Sequence, residues 1–165
     1  MDCVFERLAP EHRAPVMEIF NHYVANSFAA YPETPLPAPA FDMFLKMTEG
    51  YPAYAVKVEG RVVGFGMLRA WHPLPVFARA AEITYFLHPD FCRQGLGAAL
   101  LQRLVAEARQ KGITTILASV SALNEGSLSF HRKHGFVECG RFRSVGRKKG
   151  RDLDVVWLQL MTGAA

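Results

Sequence analysis

The sequence predicts a mixed α/β fold whose central sheet is mostly antiparallel. Short apolar runs typical of strands alternate with longer segments whose apolar residues recur at helical spacing. Several strands follow one another with only a turn between them, as antiparallel neighbours do. With 165 residues, of which 50% are hydrophobic, the chain can bury a sizeable core. We therefore expect a single domain over residues 1–165.

The first half of the chain predicts a strand, two helices and a hairpin. The strand covers residues 3–9, and two segments follow it: a loop at residues 31–39, broken by four prolines, and a helix at residues 41–49. Residues 53–70 form two apolar runs joined at Glu59-Gly60, which indicates a β-hairpin. The helix between the strand and the loop opens at Pro10, and its predicted buried face is Val16, Ile19, Phe20, Tyr23 and Val24.

The second half predicts four strands and two helices. After a second proline-broken loop at residues 71–77, a strand covers residues 79–87 and a helix covers residues 95–112, closed by Gly112. A short strand at residues 113–121 precedes a helix at residues 125–135 with Asn124 near its cap, and strands at 136–146 and 153–160 end the fold. The predicted order is β-α-α-β-β-β-α-β-α-β-β.

Composition narrows the class of protein. The net charge of +4 favours local basic patches over a general nucleic-acid binder, and no apolar run approaches the ~20 residues of a membrane span. Cys3, Cys92 and Cys139 are scattered and suit neither a disulfide framework nor a metal site. The N-terminal segment lacks the apolar core of a signal peptide. We expect a cytoplasmic protein without a metal.

The stretch FLHPDFCRQGLGAAL, residues 86–100, places two glycines where a strand turns into a helix. The simplest interpretation is a tight, closely packed turn. A dinucleotide site would need a third glycine and an acidic residue about 20 positions on, and neither is present. The alternative is a phosphate site: the peptide N–H groups of residues 93–98 surround a pyrophosphate, Arg93 adds charge, and Gly95 and Gly97 leave room.

Arg93-x-Gly95-x-Gly97, together with Asn124-x-x-Ser127-x-x-x-His131-x-x-x-Gly135-Phe136, resembles the acyl-CoA-binding motifs of the GNAT N-acetyltransferase superfamily. This resemblance implies a twisted, mostly antiparallel sheet of about seven strands flanked by four helices, with acetyl-CoA as co-substrate. It also implies a set of cofactor contacts: Tyr85, Phe86, Leu87, Arg93, Gln94, Gly95, Leu96, Gly97, Ala98, Asn124, Ser127 and Lys133.

Nearly the whole chain is similar to the phosphinothricin and methionine sulfoximine acetyltransferase subgroup. EIFNHYV, SFAAYPETP, Trp71, Glu82 and VGRKKGRDLDVVWLQL carry this likeness. There are two departures. The Gln or Arg usual two residues before Gln94 is Cys92, and the Arg that often follows the loop Trp is His72. The second departure concerns recognition of the acceptor.

Glu82 is a carboxylate in an otherwise apolar strand, AEITYFL. By itself this pattern fits a solvated strand position or a buried ion pair. In the resembled subgroup the matching Glu is the general base, and a base is useful because only a neutral amine attacks a thioester. The resemblance also implies that the main-chain N–H of Leu87 stabilises the oxyanion, and that Tyr85, Phe86 and Leu87 pair with the pantetheine arm.

Helix residues 124–133 carry the other predicted cofactor contacts. Asn124 can hydrogen-bond the pantetheine arm or cap its helix, and these two roles are compatible. His131 occupies a position where many superfamily members have Tyr, so it is a candidate general acid for the CoA thiolate. It can equally hydrogen-bond CoA or pack in the core.

The acceptor pocket is expected on the two proline-broken loops, where Phe28, Tyr31, Trp71 and Phe77 supply aromatic rings. Packing beneath the loops is the alternative for these rings. His72 or Arg79 is predicted to meet an acceptor carboxylate. The basic run at residues 147–151 is predicted as a solvated hairpin turn, with the CoA 3′-phosphate or a partner subunit as alternatives.

The predicted function is acetyl-CoA-dependent N-acetylation of a small amino-acid-like amine by a homodimer. A peptide or protein N-terminal acetyltransferase and a catalytically silent CoA-binding module are the alternatives. No nucleic-acid or membrane partner is expected.

Overall fold

The computed structural model describes residues 3–165 and contains seven strands and four α-helices in the predicted order. The strands are β1 Cys3–Arg7, β2 Ala53–Val58, β3 Arg61–Ala70, β4 Ala80–Leu87, β5 Thr115–Ser121, β6 Val137–Lys148 and β7 Arg151–Met161. The helices are α1 Arg13–Asn26, α2 Phe41–Met47, α3 Leu96–Gln110 and α4 Glu125–Lys133.

Several element bounds differ from the prediction, and those of α1, β6 and β7 do so for local reasons. Helix α1 begins at Arg13, after one 3-10 turn at Pro10–His12. This start places Pro15 in the first helical turn, where a missing N–H breaks no intrahelical bond. Strands β6 and β7 extend further than predicted and meet at Lys149 and Gly150, both with positive φ (49° and 72°). Such φ values suit a tight hairpin turn.

The seven strands form one sheet in the order β1-β2-β3-β4-β5-β7-β6. Every neighbouring pair is antiparallel except β4 and β5, which are parallel. These two strands pair only from Ala80 with Thr115 to Glu82 with Leu117, although β4 continues to Leu87 and β5 to Ser121. The sheet therefore opens between β4 and β5 beyond Glu82.

Helices cover both faces of the sheet and bury two hydrophobic clusters. Phe65 and Met67 of β3 pack with α1 and α2, whereas Ile83 of β4 and Ile116 of β5 pack with α3 and α4. Fully burying one such side chain contributes about 1.5–3 kcal/mol, so both layers hold the sheet firmly. Gly66 lies where a Cβ would be 2.8 Å from a Leu100 methyl, which lets α3 approach β3 closely. Within residues 3–165, no helix has both the length and the apolar character needed to cross a membrane.

Candidate active site

A cleft of about 880 Å³ occupies the opening between β4 and β5. It continues past the glycine turn and the start of α4, and on the other side past the loop that follows α1. Many of the residues predicted from sequence line it: Tyr31, Glu82, Tyr85, Phe86, Leu87, Arg93, Gly95, Gly97, Ala98, Asn124, Ser127, His131 and Lys133. The structure thus brings together the candidate base, the glycine turn and the second motif.

The main chain at the end of β4 is directed into this cleft. Leu87 lies opposite Gly64 of β3, and the amide of the next residue, His88, donates to the Val63 carbonyl at 2.7 Å. Leu87 is therefore in a non-hydrogen-bonded antiparallel pair, so its own N–H and C=O point away from β3. Tyr85, two residues earlier, has the same orientation.

A tyrosine from α1, which sequence reasoning assigned only to the apolar face, occupies the carbonyl side of Leu87. The Tyr23 hydroxyl donates to the Leu87 carbonyl at 2.6 Å. Burial raises the pKa of Tyr23, and the neighbouring Cys92 thiol raises it further, so the phenol stays protonated as a donor. This bond fixes the end of β4 and leaves the Leu87 N–H directed into the cleft.

The backbone conformation of the glycine turn suits anion binding by main-chain N–H groups. Gly95 has a φ of +83°, a left-handed conformation that favours glycine, and α3 begins at the next residue. A Cβ on Gly97 would lie 3.6 Å from Leu87 and Phe130, which is ordinary contact, so fold packing alone does not demand glycine there. The first N–H groups of α3 have no intrahelical acceptor and face the positive end of the helix dipole.

Gln94 and Leu96, which neighbour these glycines, have side chains that contact the protein itself. Gln94 donates through Nε2 to the Asp90 carbonyl at 2.9 Å and closes the turn. Leu96 is buried in the core. Both can therefore offer a ligand their main-chain groups, while their side chains stabilise the turn.

The Glu82 side chain is half-buried and paired with a cation that sequence reasoning missed. Its Oε1 lies 2.8 Å from Nη2 of Arg69, and these residues face each other across β3 and β4. Burial raises the pKa of the Glu82 carboxyl, and the Arg69 guanidinium offsets part of that rise. The ion pair that the sequence left open is therefore present, in a position that also suits a base.

Arg69 was detectable only in part from sequence. Like Glu82, it is a charged residue in a largely apolar strand, and that signal could have identified it. The loop between β3 and β4 hides the strand register, however, and the register decides which residue faces Glu82.

The second motif forms a hydrogen-bonded group at the start of α4. Asn124 accepts through Oδ1 from the Ser127 amide at 3.1 Å, which makes it the N-cap. Nδ1 of His131 donates to the Ser127 carbonyl at 2.7 Å, since a carbonyl can only accept. Nε2 of His131 lies 2.6 Å from the Tyr85 hydroxyl.

The proton positions at this pair follow from burial. Burial lowers the pKa of His131, and the Ser127 carbonyl opposes this only in part, so the ring is neutral with its proton on Nδ1. Burial also raises the pKa of Tyr85. Tyr85 therefore donates its hydroxyl proton to Nε2, a side-chain role that sequence reasoning did not assign to it.

Four of the six predicted acceptor residues lie in two places. Tyr31 lines the cleft, and its hydroxyl lies 3.2 Å from the Ser119 hydroxyl of β5. A separate aromatic group lies on the loop between β3 and β4, outside the cleft lining. In this group the Phe77 ring centroid is 5.3 Å from Trp71 and 4.8 Å from His72.

The remaining two predicted acceptor residues have partners elsewhere. Phe28 lies beneath the guanidinium of Arg151, with 5.4 Å between that group and the ring centroid. Arg79 donates to the carbonyls of Gly112 and Ala165, at 3.4 and 2.8 Å. Neither residue lines the cleft. Within residues 3–165, no group of three His, Cys, Asp or Glu side chains is arranged to hold a metal ion.

The basic run forms the predicted hairpin turn, and Arg147, Lys149 and Arg151 are exposed, but Lys148 departs from the prediction. Lys148 is only 1% exposed. Its Nζ donates to the carbonyls of Val24, Ser27 and Ala30 at 2.9, 2.8 and 2.6 Å. The ammonium thus neutralises the carbonyl end of α1 and holds the loop that carries Tyr31.

Comparisons with known proteins agree with this geometry. The model of the acetyltransferase (GNAT) family matches residues 16–136. An L-amino acid N-acyltransferase of Escherichia coli is 32% identical over 149 residues, covering 89% of this chain and 87% of its own. The L-methionine sulfoximine/L-methionine sulfone acetyltransferase of Pseudomonas aeruginosa is 32% identical over 148 residues, covering 88% of this chain and 86% of its own.

A solved structure is similar over nearly the full length. It is the crystal structure of a phosphinothricin acetyltransferase from Sinorhizobium meliloti in complex with AcCoA. It superposes with a TM-score of 0.91 at 27% identity, covering 98% of this chain and 89% of its own.

Proposed function

The chain belongs to the GNAT family of acetyltransferases, and from this premise we propose that it transfers the acetyl group of acetyl-CoA to the amine of a small amino-acid-like acceptor. The observation that carries the proposal is the position of Glu82. Its half-buried carboxylate lies where β4 and β5 separate, in one cleft with the Leu87 amide and the start of α3. The names of the two curated relatives support an amino-acid-like acceptor.

The residues present suit acetyl-CoA, which supplies the acetyl group as a thioester. The turn at residues 93–98 and the first amides of α3 hold the pyrophosphate, and Arg93 adds positive charge. The main-chain N–H and C=O of Tyr85 face the cleft, so they pair with the pantetheine amides as a neighbouring strand would. The Leu87 carbonyl already accepts from Tyr23, and its N–H is left for the thioester oxygen. Asn124 combines its cap with contact to the same arm through its amide.

Glu82 acts as the general base. The acceptor ammonium gives a proton to the Glu82 carboxylate, and the nitrogen lone pair forms a bond to the thioester carbon. The carbon–sulfur bond then breaks, and the attacking nitrogen loses its second proton to solvent water as the neutral amide forms. The electron pair of that bond leaves on sulfur. The Leu87 N–H donates to the thioester oxygen as negative charge develops there.

The proposal requires no general acid for the departing thiolate. A thiol with a pKa near that of cysteine, about 8.5, leaves readily at neutral pH. Neutral His131 directs its proton to Ser127 and accepts from Tyr85. We therefore propose that Tyr85 and His131 shape this part of the cleft. A general-acid role of His131 stays a prediction.

The Glu82→Gln variant tests the proposal, because it keeps the shape and removes the base. We expect kcat/KM to fall at least about tenfold near neutral pH, with acetyl-CoA affinity retained in calorimetry. In the wild type, kcat/KM should fall as the pH drops through the raised pKa of Glu82. The variant should lack this acid limb, and Glu138→Gln, an exposed carboxylate on β6, is the matched control.

If kcat/KM falls at the same low pH in Glu82→Gln as in the wild type, Glu82 is not the general base. A CoA-release screen tests the acceptor class with amino acids, methionine sulfoximine, methionine sulfone, phosphinothricin, polyamines and short peptides. Turnover of peptides or polyamines without turnover of the amino-acid-like compounds contradicts the proposed acceptor.

The predicted homodimer and cytoplasmic location belong to the same proposal. Strand β6 is at the edge of the sheet and exposes Val137, Phe142 and Val145, which supports association through this side. Light scattering of the purified protein measures the oligomeric state directly.

A further inference from the structure

We infer that Arg69 binds the carboxylate of the acceptor, so that Arg69 and Glu82 together select α-amino acids. The inference rests on the proposed function, because it concerns the acceptor end of the same cleft. It assigns acceptor recognition to a residue of β3, whereas the sequence pointed to His72 or Arg79.

Strand register places Arg69 beside the base. Arg69 and Glu82 are directly opposite in the antiparallel pair of β3 and β4, so both side chains project from the same sheet face. Nη2 lies 2.8 Å from Oε1 of Glu82, and Nη1 donates to Oγ1 of Thr84 at 2.6 Å. Two fixed partners hold the guanidinium in one orientation, which lowers the entropy lost on binding a ligand.

The charge pair complements an α-amino acid. The ammonium and carboxylate of such a molecule are separated by one carbon, and the opposite charges of Glu82 and Arg69 are in direct contact. An acceptor can therefore place its ammonium against Glu82 and its carboxylate against Arg69 at once. A guanidinium has five N–H donors, of which Arg69 uses one on Thr84, and its contact with Glu82 is an ion pair, so a carboxylate can take others.

Burial makes this contact strong enough to discriminate. The side chains of Arg69 and Glu82 are 24% and 17% exposed, and both line the cleft. A charge in a half-buried site is screened less by water and salt than one on the surface. Amines without a carboxylate leave the Arg69 side of the site without a ligand.

Other cations of the chain are less suited to this task. Arg93 and Lys133 also line the cleft, but they lie at the glycine turn and at the end of α4. His72 is outside the cleft lining, and its Nδ1 accepts from the Leu74 amide at 3.2 Å. Arg79 is committed to two carbonyls.

The test compares Arg69→Gln with the wild type on L-methionine sulfone and on its carboxamide. We expect KM for the acid to rise about tenfold or more in the variant, as loss of a charged hydrogen bond implies. The carboxamide should change by less than about threefold, because it carries no charge for Arg69 to bind. Arg79→Gln is the matched control and should leave both KM values as they are.

Several kinetic outcomes contradict the inference. If KM rises equally for the acid and the carboxamide in Arg69→Gln, Arg69 only neutralises Glu82 and does not bind the acceptor carboxylate. If KM for the acid changes in Arg79→Gln or His72→Ala but not in Arg69→Gln, then Arg79 or His72 binds the acceptor carboxylate instead. A wild-type enzyme that acetylates neither these two compounds nor any other amino-acid-like compound of the CoA-release screen contradicts the proposed function and the carboxylate site with it, and this outcome is evident before any variant is made.

A binding measurement keeps the inference testable if Arg69→Gln folds poorly with Glu82 left unpaired. N-acetyl-L-methionine sulfone, the expected product, retains the carboxylate and has no ammonium. In calorimetry with CoA present, Glu82→Gln should bind this product at least about tenfold more tightly than Glu82→Gln/Arg69→Gln. Neither protein has an unpaired carboxylate at residue 82, and equal affinities contradict the inference.

Discussion

At the scale of single residues, burial decides which protonation states the site uses. Glu82 loses water on entering the sheet, which raises the pKa of its carboxyl, and Arg69 limits the rise so that the carboxylate persists beside the cleft. His131 loses water on α4, which lowers its pKa and keeps the ring neutral. The same physical cause therefore gives one group a stronger affinity for protons and the other a weaker one.

The Tyr85 and His131 pair gives a prediction at this scale. The Tyr85→Phe substitution leaves Nε2 of His131 buried without its 2.6 Å donor. We expect the free energy of unfolding to fall by about 1–3 kcal/mol, the usual cost of an unsatisfied buried polar group. Urea denaturation measures it. Tyr51→Phe is the control, because Tyr51 is only partly buried, at the edge of the core. Equal stability of Tyr85→Phe and the wild type contradicts the assigned bond.

At the scale of elements, the cleft depends on how β4 ends and how α3 begins. Strand β4 stops pairing with β5 after Glu82, although it still pairs with β3 as far as Leu87. The main-chain groups of β4 that point away from β3 therefore face the cleft. A single left-handed glycine, Gly95, then turns the chain into α3 and aims the free amides of the helix at the same cleft. A strand edge and a helix N-terminus thus meet at one site.

The Gly97→Asp substitution tests the helix start. A side chain fits here, because an added Cβ meets its neighbours at 3.6 Å. Asp in the first turn also interacts favourably with the helix dipole, by about 0.3–1 kcal/mol. We therefore expect unchanged or higher thermal stability, together with acetyl-CoA affinity lowered at least about tenfold by repulsion of the pyrophosphate. Calorimetry at two salt concentrations measures this loss.

Gly97→Ala separates size from charge in the same experiment. The alanine variant adds the Cβ without the charge, so its affinity should lie between those of the wild type and Gly97→Asp. Acetyl-CoA binding by Gly97→Asp with wild-type affinity contradicts the phosphate site at this turn.

At the scale of the whole molecule, Lys148 connects the last hairpin to the loop after α1. Its ammonium is held by three main-chain carbonyls that are 118 to 124 residues distant in sequence. Tyr31, which lines the cleft, directly follows the last of them, Ala30. The hairpin of β6 and β7 therefore supports the side of the cleft that we propose binds the acceptor, although it contributes no lining residue.

Lys148→Met removes this support and leaves the carbonyls without their donor. We expect the free energy of unfolding to fall by at least about 2 kcal/mol, since several buried acceptors lose a charged hydrogen bond. We also expect the acceptor KM to rise while the acetyl-CoA KM stays near the wild-type value. Urea denaturation and steady-state kinetics measure the two effects, with Lys46→Met, an exposed lysine on α2, as control. A stable variant with an unchanged acceptor KM contradicts the role.

Local sequence signals determined the order of the elements and several features of the site. Residues at fixed spacing along one helix or turn act within that element, so Gly95 at the helix start, Asn124 as N-cap and the hairpin turn at Glu59-Gly60 were predictable and are confirmed. The two motifs likewise indicated the family.

Tertiary structure alone decided which distant residues share the cleft. The register of β3 against β4 sets Arg69 opposite Glu82, and a loop between two strands does not reveal their register. Packing likewise buried Lys148, which its charged neighbours in sequence indicated to be solvated, and kept Trp71 and Phe77 outside the cleft lining. Sequence patterns report periodicity within an element, whereas these contacts depend on how separate elements pack, and that packing is a property of the folded chain.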